Sequence, residues 1–305
     1  MAKKQKEKIE NNKPEVWKII GMFAMVFLAV QLAIAALGVG INSLMSLLGM
    51  GENLRIFLGS SVSRTGMIAA AILITSPVIR VALKKNPEQI LFPFNNSWKK
   101  DLLNGILAGS ASILFVFILS FIFGWTRING LLLTVESVVV WLRTIWLAIL
   151  VNATTAVIEE ILFRGFLLSG LKEAWDERGA VFVSAVIFGA SHLLAASARN
   201  TNWLEFIPLL SIPGILLGWA YLRTGNLWLP VGLHFAWNLL QDDILNLTGK
   251  INRDTLFGLA TEIVGPGWMM GTDFGIELGG LGVIAAVTAG LVVWLLTQKK
   301  QSSSA

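Results

Sequence analysis

Residues 138–170 read VVVWLRTIWLAILVNATTAVIEEILFRGFLLSG. The run is apolar apart from Arg143, a few small polar residues and the cluster Glu159, Glu160 and Arg164. As a helix rising ~1.5 Å per residue, it is longer than the ~30 Å hydrocarbon core of a bilayer. Such a helix must tilt, protrude or break. Ionisable groups inside it cost roughly a few kcal/mol each on insertion scales, so they are expected to be paired or functional.

Seven more apolar runs flank this one, at about 17–41, 62–83, 102–124, 179–197, 203–222, 227–247 and 277–297. Hydrophobic residues make up 55% of the 305 residues and charged residues 14%, against about 25% charged in soluble domains. Mean hydropathy is +0.70. A soluble chain this apolar would aggregate. The expected fold is all-α, a polytopic transmembrane helix bundle of about eight spans. Residues 1–16 read as a disordered cytoplasmic tail, and 17–298 as a single transmembrane domain with a motif core at about 140–247. Ala33-Ile34-Ala35 resembles a signal cleavage site, but the apolar run continues past it and reads as an anchor.

The net charge of +5 sits mainly at the ends of these runs, on Lys3, Lys4, Lys6, Lys8, Lys84, Lys85, Lys99, Lys100, Lys299 and Lys300. Eight spans place the N-terminus, the 84–100 loop, the 172–178 turn, Arg223 and the C-terminus on one side. By the positive-inside rule both termini are cytoplasmic. The charges read as topology and as partners for the lipid bilayer, not as a nucleic-acid surface. The chain has no cysteine, which excludes disulfides, thiolate catalysis and cysteine metal sites.

Polar groups recur within three runs: Glu159, Glu160 and Arg164, then His192, then His234 and Asn238. Glu160 and Arg164 are i, i+4, and so are Phe188 and His192, and His234 and Asn238. Each pair therefore shares a helical face. Counted from the basic ends, Glu159, His192 and His234 lie ~12–20 Å deep, so one inner cavity, open to the cytoplasm, can gather them. In a low-dielectric site one of two adjacent carboxylates can hold a proton or take one from water. Glu159 or Glu160 is thus the candidate base. Arg164 can keep its neighbour ionised, histidine can orient water, and His234 with Asn238 can donate to an oxyanion.

Glu159-Glu160-Ile161-Leu162-Phe163-Arg164 resembles the EExxxR motif of the CAAX-protease and bacteriocin-processing family, also called CPBP or Abi. Phe188-Gly189-Ala190-Ser191-His192 is similar to its FxxxH motif, and His234-Phe235-Ala236-Trp237-Asn238 to its HxxxN motif. The resemblance covers about a third of the chain, and it implies an intramembrane endopeptidase. It implies that Glu159 activates water with His192, that His234 and Asn238 stabilise the oxyanion, and that Glu160 and Arg164 support them. The substrate implied is a peptide or a membrane-anchored protein, and the location a prokaryotic plasma membrane, with cleavage near the cytoplasmic side. No HExxH motif is present and no cofactor is required, although two histidines with glutamates have the chemistry to hold a divalent metal such as zinc. Two other readings stay open. One is a non-catalytic immunity or scaffold protein that binds a peptide, the other a proton-coupled transporter. Asp242 and Asp243 read as an interfacial cap at the end of the seventh run, and 248–276 as a loop without a readable role.

Overall fold

The computed structural model describes residues 14–133, 138–194, 202–248, 257–271 and 275–298. Most of the expected N-terminal tail, and the end of the fifth run past 194, lie outside the described residues. The chain builds a bundle of apolar helices: α1 (Val16–Leu47), α2 (Glu52–Ala82), α3 (Trp98–Ile122), α4 (Val138–Glu160), α5 (Glu177–Ser191), α6 (Trp203–Thr224), α7 (Trp228–Asn238) and α8 (Gly280–Leu296). α4 runs on through a π-helical segment, Ile161–Leu168, and a last α-helical piece, Ser169–Ala174. α7 likewise continues as a π segment, Leu239–Ile244. Six of these helices are long and apolar enough to cross a membrane, whereas α7 and α8 are shorter. The chain is a membrane protein.

Local chemistry sets the helix ends. The Asp176 carboxylate caps α5 by accepting from the Arg178 and Gly179 N–H groups at 3.0 Å each. Asn202 caps α6 through the Leu204 N–H. α6 stops at Gly225, whose φ of 70° ends the helix in the left-handed region. α2 starts at Glu52, well before the apolar run expected from 62. Its first turns carry Arg55, Ser60, Ser61, Ser63 and Arg64, which hydropathy discounts although the backbone hydrogen bonds of a helix accept them. Pro77, Pro208 and Pro213 all lie inside helices, where neighbouring helices make a missing N–H tolerable.

Two expected loops pair instead. β1 (Thr126–Leu133) and β2 (Phe257–Ile263) form an antiparallel ribbon, from Thr126↔Ile263 to Leu133↔Phe257, with a bulge between Ile128 and Gly130. The ribbon is tied to the end of α7. Asn246 Nδ2 donates to the Leu259 carbonyl at 2.7 Å, and Thr261 Oγ1 to that of Leu245 at 2.6 Å. The part of 248–276 that is described thus has a structural role. The ribbon marks one end of the bundle, and the turns at 84–97 and 175–176 mark the other.

Two large apolar clusters hold most of the helices, with a small third one of Phe206, Leu210 and Leu278. The first gathers Ile19, Phe23, Ile79, Phe163, Leu167 and Phe188, and the second Ile113, Leu216, Leu233, Trp237, Leu281 and Ala285. α3 and α7 meet almost backbone to backbone. A Cβ at Gly105 would run into the Leu229 carbonyl oxygen, and one at Gly232 into that of Leu102. Gly105 and Gly109 form the small-xxx-small spacing that permits such approach in lipid. This contact sets the position of α7, the helix that carries His234 and Asn238.

Candidate active site

The polar residues meet at the seam between the two large clusters. Glu159 and Glu160 are consecutive on α4, so their side chains leave the helix about 100° apart. They enter different environments. Glu160 is fully buried, with Arg164 beside it only 1% exposed. Arg164 Nη1 donates to Glu160 Oε1 at 2.8 Å, and His234 Nδ1 lies 2.9 Å from the same oxygen. Arg164 Nη2 also donates to the Gly214 carbonyl at 3.1 Å, and the guanidinium stacks 4.5 Å from the Phe188 ring centre. The pair forms across the start of the π segment, a wider turn that recurs at functional sites. One carboxylate therefore joins three helices: α4 directly, α7 through His234, and α6 through Arg164.

The Glu159 side chain is 25% exposed and faces a cavity of about 210 Å³. Thr155, Glu159, His192, His234, Asn238 and Glu277 are among its lining residues. His234 Nε2 stands 3.7 Å from Glu159 Oε2, longer than a hydrogen bond. A second cavity of about 320 Å³, with Phe27, Gln31, Arg64 and Met67 in its wall, shares Thr155, Glu159 and His192 with the first. Glu159 and His192 therefore border both.

His192 caps the C-terminus of α5 and opens a short 3-10 turn. Its Nδ1 lies 2.8 Å from the Phe188 carbonyl oxygen. A carbonyl only accepts, so Nδ1 carries the proton, and in the neutral ring Nε2 keeps its lone pair. His234 differs, because both of its nitrogens face carboxylates: Nδ1 donates to Glu160, and Nε2 is directed toward Glu159. Asn238, one turn beyond His234, lines the first cavity. Of the six residues singled out in the sequence, three form the bonded cluster. The other three share a cavity wall with the His234 of that cluster.

α5 has 15 residues, which puts His192 ~22 Å from its basic-end start at ~1.5 Å per residue. Further wall residues, Gln241, Asp242 and Glu277, come from the segments nearest the ribbon.

Three carboxyls were misread or missed. Asp243 is buried, not an interfacial cap, and Asn152 Nδ2 donates to its Oδ2 at 2.6 Å, joining α4 to the π segment after α7. Its neighbour Asp242 lines the cavity and accepts from Gln241 Nε2 at 3.1 Å. The π turn aims this pair inward, which a regular helical count does not foresee. Glu277 sits in the short turn Ile276–Leu278 before α8. Burial, reinforced by the negative charge of Asp242, pushes its carboxyl up to about 7. A lone carboxylate between Gly275 and Gly279-Gly280 at the head of an apolar run was the available signal.

Among the described residues, no three histidine, aspartate or glutamate side chains converge to hold a metal ion. Glu160 is already committed to Arg164 and His234. Residues 141–240 match the family model described as Rce1-like, type II CAAX prenyl endopeptidase Rce1-like. No curated protein matches the chain.

Proposed function

We propose that this chain, whose residues 141–240 match the model of the Rce1-like type II CAAX prenyl endopeptidases, hydrolyses a peptide bond inside the membrane with water activated by Glu159. One observation carries the reading: Glu159 and His192 border both cavities, while the neighbouring Glu160 is locked to Arg164 and His234. Glu159 takes a proton from water as the oxygen attacks the scissile carbonyl. His192 Nε2 orients that water, since its Nδ1 proton is spent on the Phe188 carbonyl. The Asn238 amide donates to the oxyanion, and so does His234 Nε2, the ring being held between Glu159 and Glu160 with a proton on each nitrogen. Glu160 and Arg164 set the imidazole of His234 and touch no reacting atom.

The substrate is a peptide or a membrane-anchored protein segment, and the second cavity, mostly apolar with Gln31 and Arg64 in its wall, suits a chain arriving from the lipid. The basic residues favour both termini on the cytoplasmic side, and the membrane this reading assigns is a prokaryotic plasma membrane. The cut is placed by this reading near the cytoplasmic side of the membrane. Purified protein in detergent or vesicles should cleave a prenylated, internally quenched peptide with a CAAX-type tail. Glu159→Ala should remove cleavage while leaving insertion and melting temperature intact. Wild-type rates from that variant would sink the assignment of Glu159. Full cellular complementation by it would instead favour a peptide-binding role without catalysis.

A further inference from the structure

A carboxyl from outside the matched region reaches the same cavity. Glu277 belongs to the turn Ile276–Leu278, which enters α8, and it lines the cavity with Glu159, His192, His234 and Asn238. The turn opens at Gly275, whose φ of 100° favours glycine. A Cβ at Gly279 would run into the Met269 carbonyl oxygen, so the turn is packed tightly against the helix Gly267–Met270. Glu277 is thus held at the wall by backbone constraints rather than placed on a free loop.

The Nδ1 protons of the two histidines of the cavity are engaged elsewhere, and the Asp242 carboxylate accepts from Gln241 Nε2. The His192 Nδ1 proton goes to the Phe188 carbonyl and that of His234 to Glu160. Glu159 is the base, and Glu277 is a second carboxyl on the same cavity wall, able to protonate the leaving nitrogen while Glu159 holds the water proton. We propose that Glu277 is the general acid of this hydrolysis, giving its proton to the leaving amine nitrogen as the scissile C–N bond breaks. The inference rests on the hydrolase reading above.

The step balances. The water oxygen bonds to the carbonyl carbon, and its proton goes to Glu159. Collapse of the tetrahedral intermediate re-forms the C=O bond and breaks C–N, with the electron pair leaving on nitrogen. That nitrogen takes the Glu277 proton and departs as an amine. Glu159 then returns its proton to Glu277 through cavity water, and the new acid ionises on release.

Electrostatics agree with the role. The charged groups felt by Glu277 are Asp242, His234 and Glu159, from the π segment after α7, from α7 and from α4. α8 and the helix Gly267–Met270 carry no titratable group; of the three on α6, Glu205 and Arg223 are exposed and Tyr221 is buried in the first apolar cluster. A carboxyl raised to about 7 keeps its proton long enough near neutrality to donate it.

The test compares two leaving groups in full-length protein. One probe is the prenylated quenched peptide, and the other is its analogue with a thioester at the scissile position. A thiolate, whose conjugate acid has a pKa of about 8.5, leaves without protonation, whereas an amide nitrogen does not. Glu277→Gln should cut peptide cleavage ~100-fold or more and thioester cleavage less than ~3-fold, and the latter also shows that the variant is folded. The wild-type fall in peptide kcat/KM as pH rises through about 7 should be absent in the variant. Equal loss on both probes would mean a structural role, and unchanged peptide cleavage would mean no role; either overturns the proposal. Wild-type protein that cleaves neither probe would overturn the hydrolase reading as well.

Discussion

Glu159 and Glu160 are the same residue type on adjacent positions of one helix, yet they sit in opposite worlds. Glu160 is wholly buried and shares one oxygen between Arg164 and His234. Glu159 borders two cavities and has a direct approach to His234 of only 3.7 Å. One carboxylate is bound into architecture, and the other is left able to do work. The difference teaches that an acid pair in a membrane helix need not act as a dyad. The first member can be reactive because the second absorbs the arginine that would otherwise neutralise it.

The sharpest way to break this comparison is to remove each charge alone. Glu159→Gln should lower peptide cleavage by ~10²–10⁴-fold with little change in melting temperature. If Glu160→Gln behaves identically, with intact stability, the division of labour is wrong. Next comes the bonded cluster. Arg164→Met leaves a buried carboxylate without its ion-pair partner and should cost about 3–5 kcal/mol of stability, read by denaturation in mixed micelles. Adding Glu160→Met should restore much of that stability, because an apolar pair can replace a buried ion pair. It should not restore activity, since His234 then loses the acceptor for its Nδ1 proton.

A smaller effect tests how α7 is positioned. Gly105→Ala drives a methyl toward the Leu229 carbonyl oxygen, and overpacking of this kind costs about 1–3 kcal/mol. The rate should fall by more than the stability loss explains, because His234 and Asn238 move with α7. Unchanged catalysis in Gly105→Ala would show that the α3–α7 contact does not set the site. The mildest expectation concerns pH. The Glu277 carboxyl titrates at about 7 in the folded chain, against an ordinary 4.5. Its native form therefore holds a proton that the unfolded chain releases between those values. The stability tied to that proton is complete below about pH 4.5 and lost as pH rises through about 7. The melting-temperature difference between wild type and Glu277→Gln should shift in that window and stay flat above it.

Much of this was legible in the sequence, for identifiable reasons. Apolar runs mark helices because lipid forces backbone groups to bond internally, and the i, i+4 spacing of Glu160 with Arg164 and of His234 with Asn238 reports shared faces. The ribbon was invisible because Thr126–Leu133 pairs with Phe257–Ile263, far along the chain, and neither strand alternates clearly. Asp242 and Asp243 were misjudged because the π segment rotates them off the ordinary helical count.

By itself, the sequence determined that the chain lives in lipid, that it crosses as helices, and which six polar residues are too costly to be idle. Those conclusions follow from composition and from period, which are local quantities. Only the tertiary structure decided which glutamate faces the cavity, that Asp243 is paired inside with Asn152, and that Glu277 from beyond the motif core completes the wall. Each of those outcomes depends on which helices touch, and contact is set by close packing at glycines and by the turn geometry between spans, neither of which repeats along the chain.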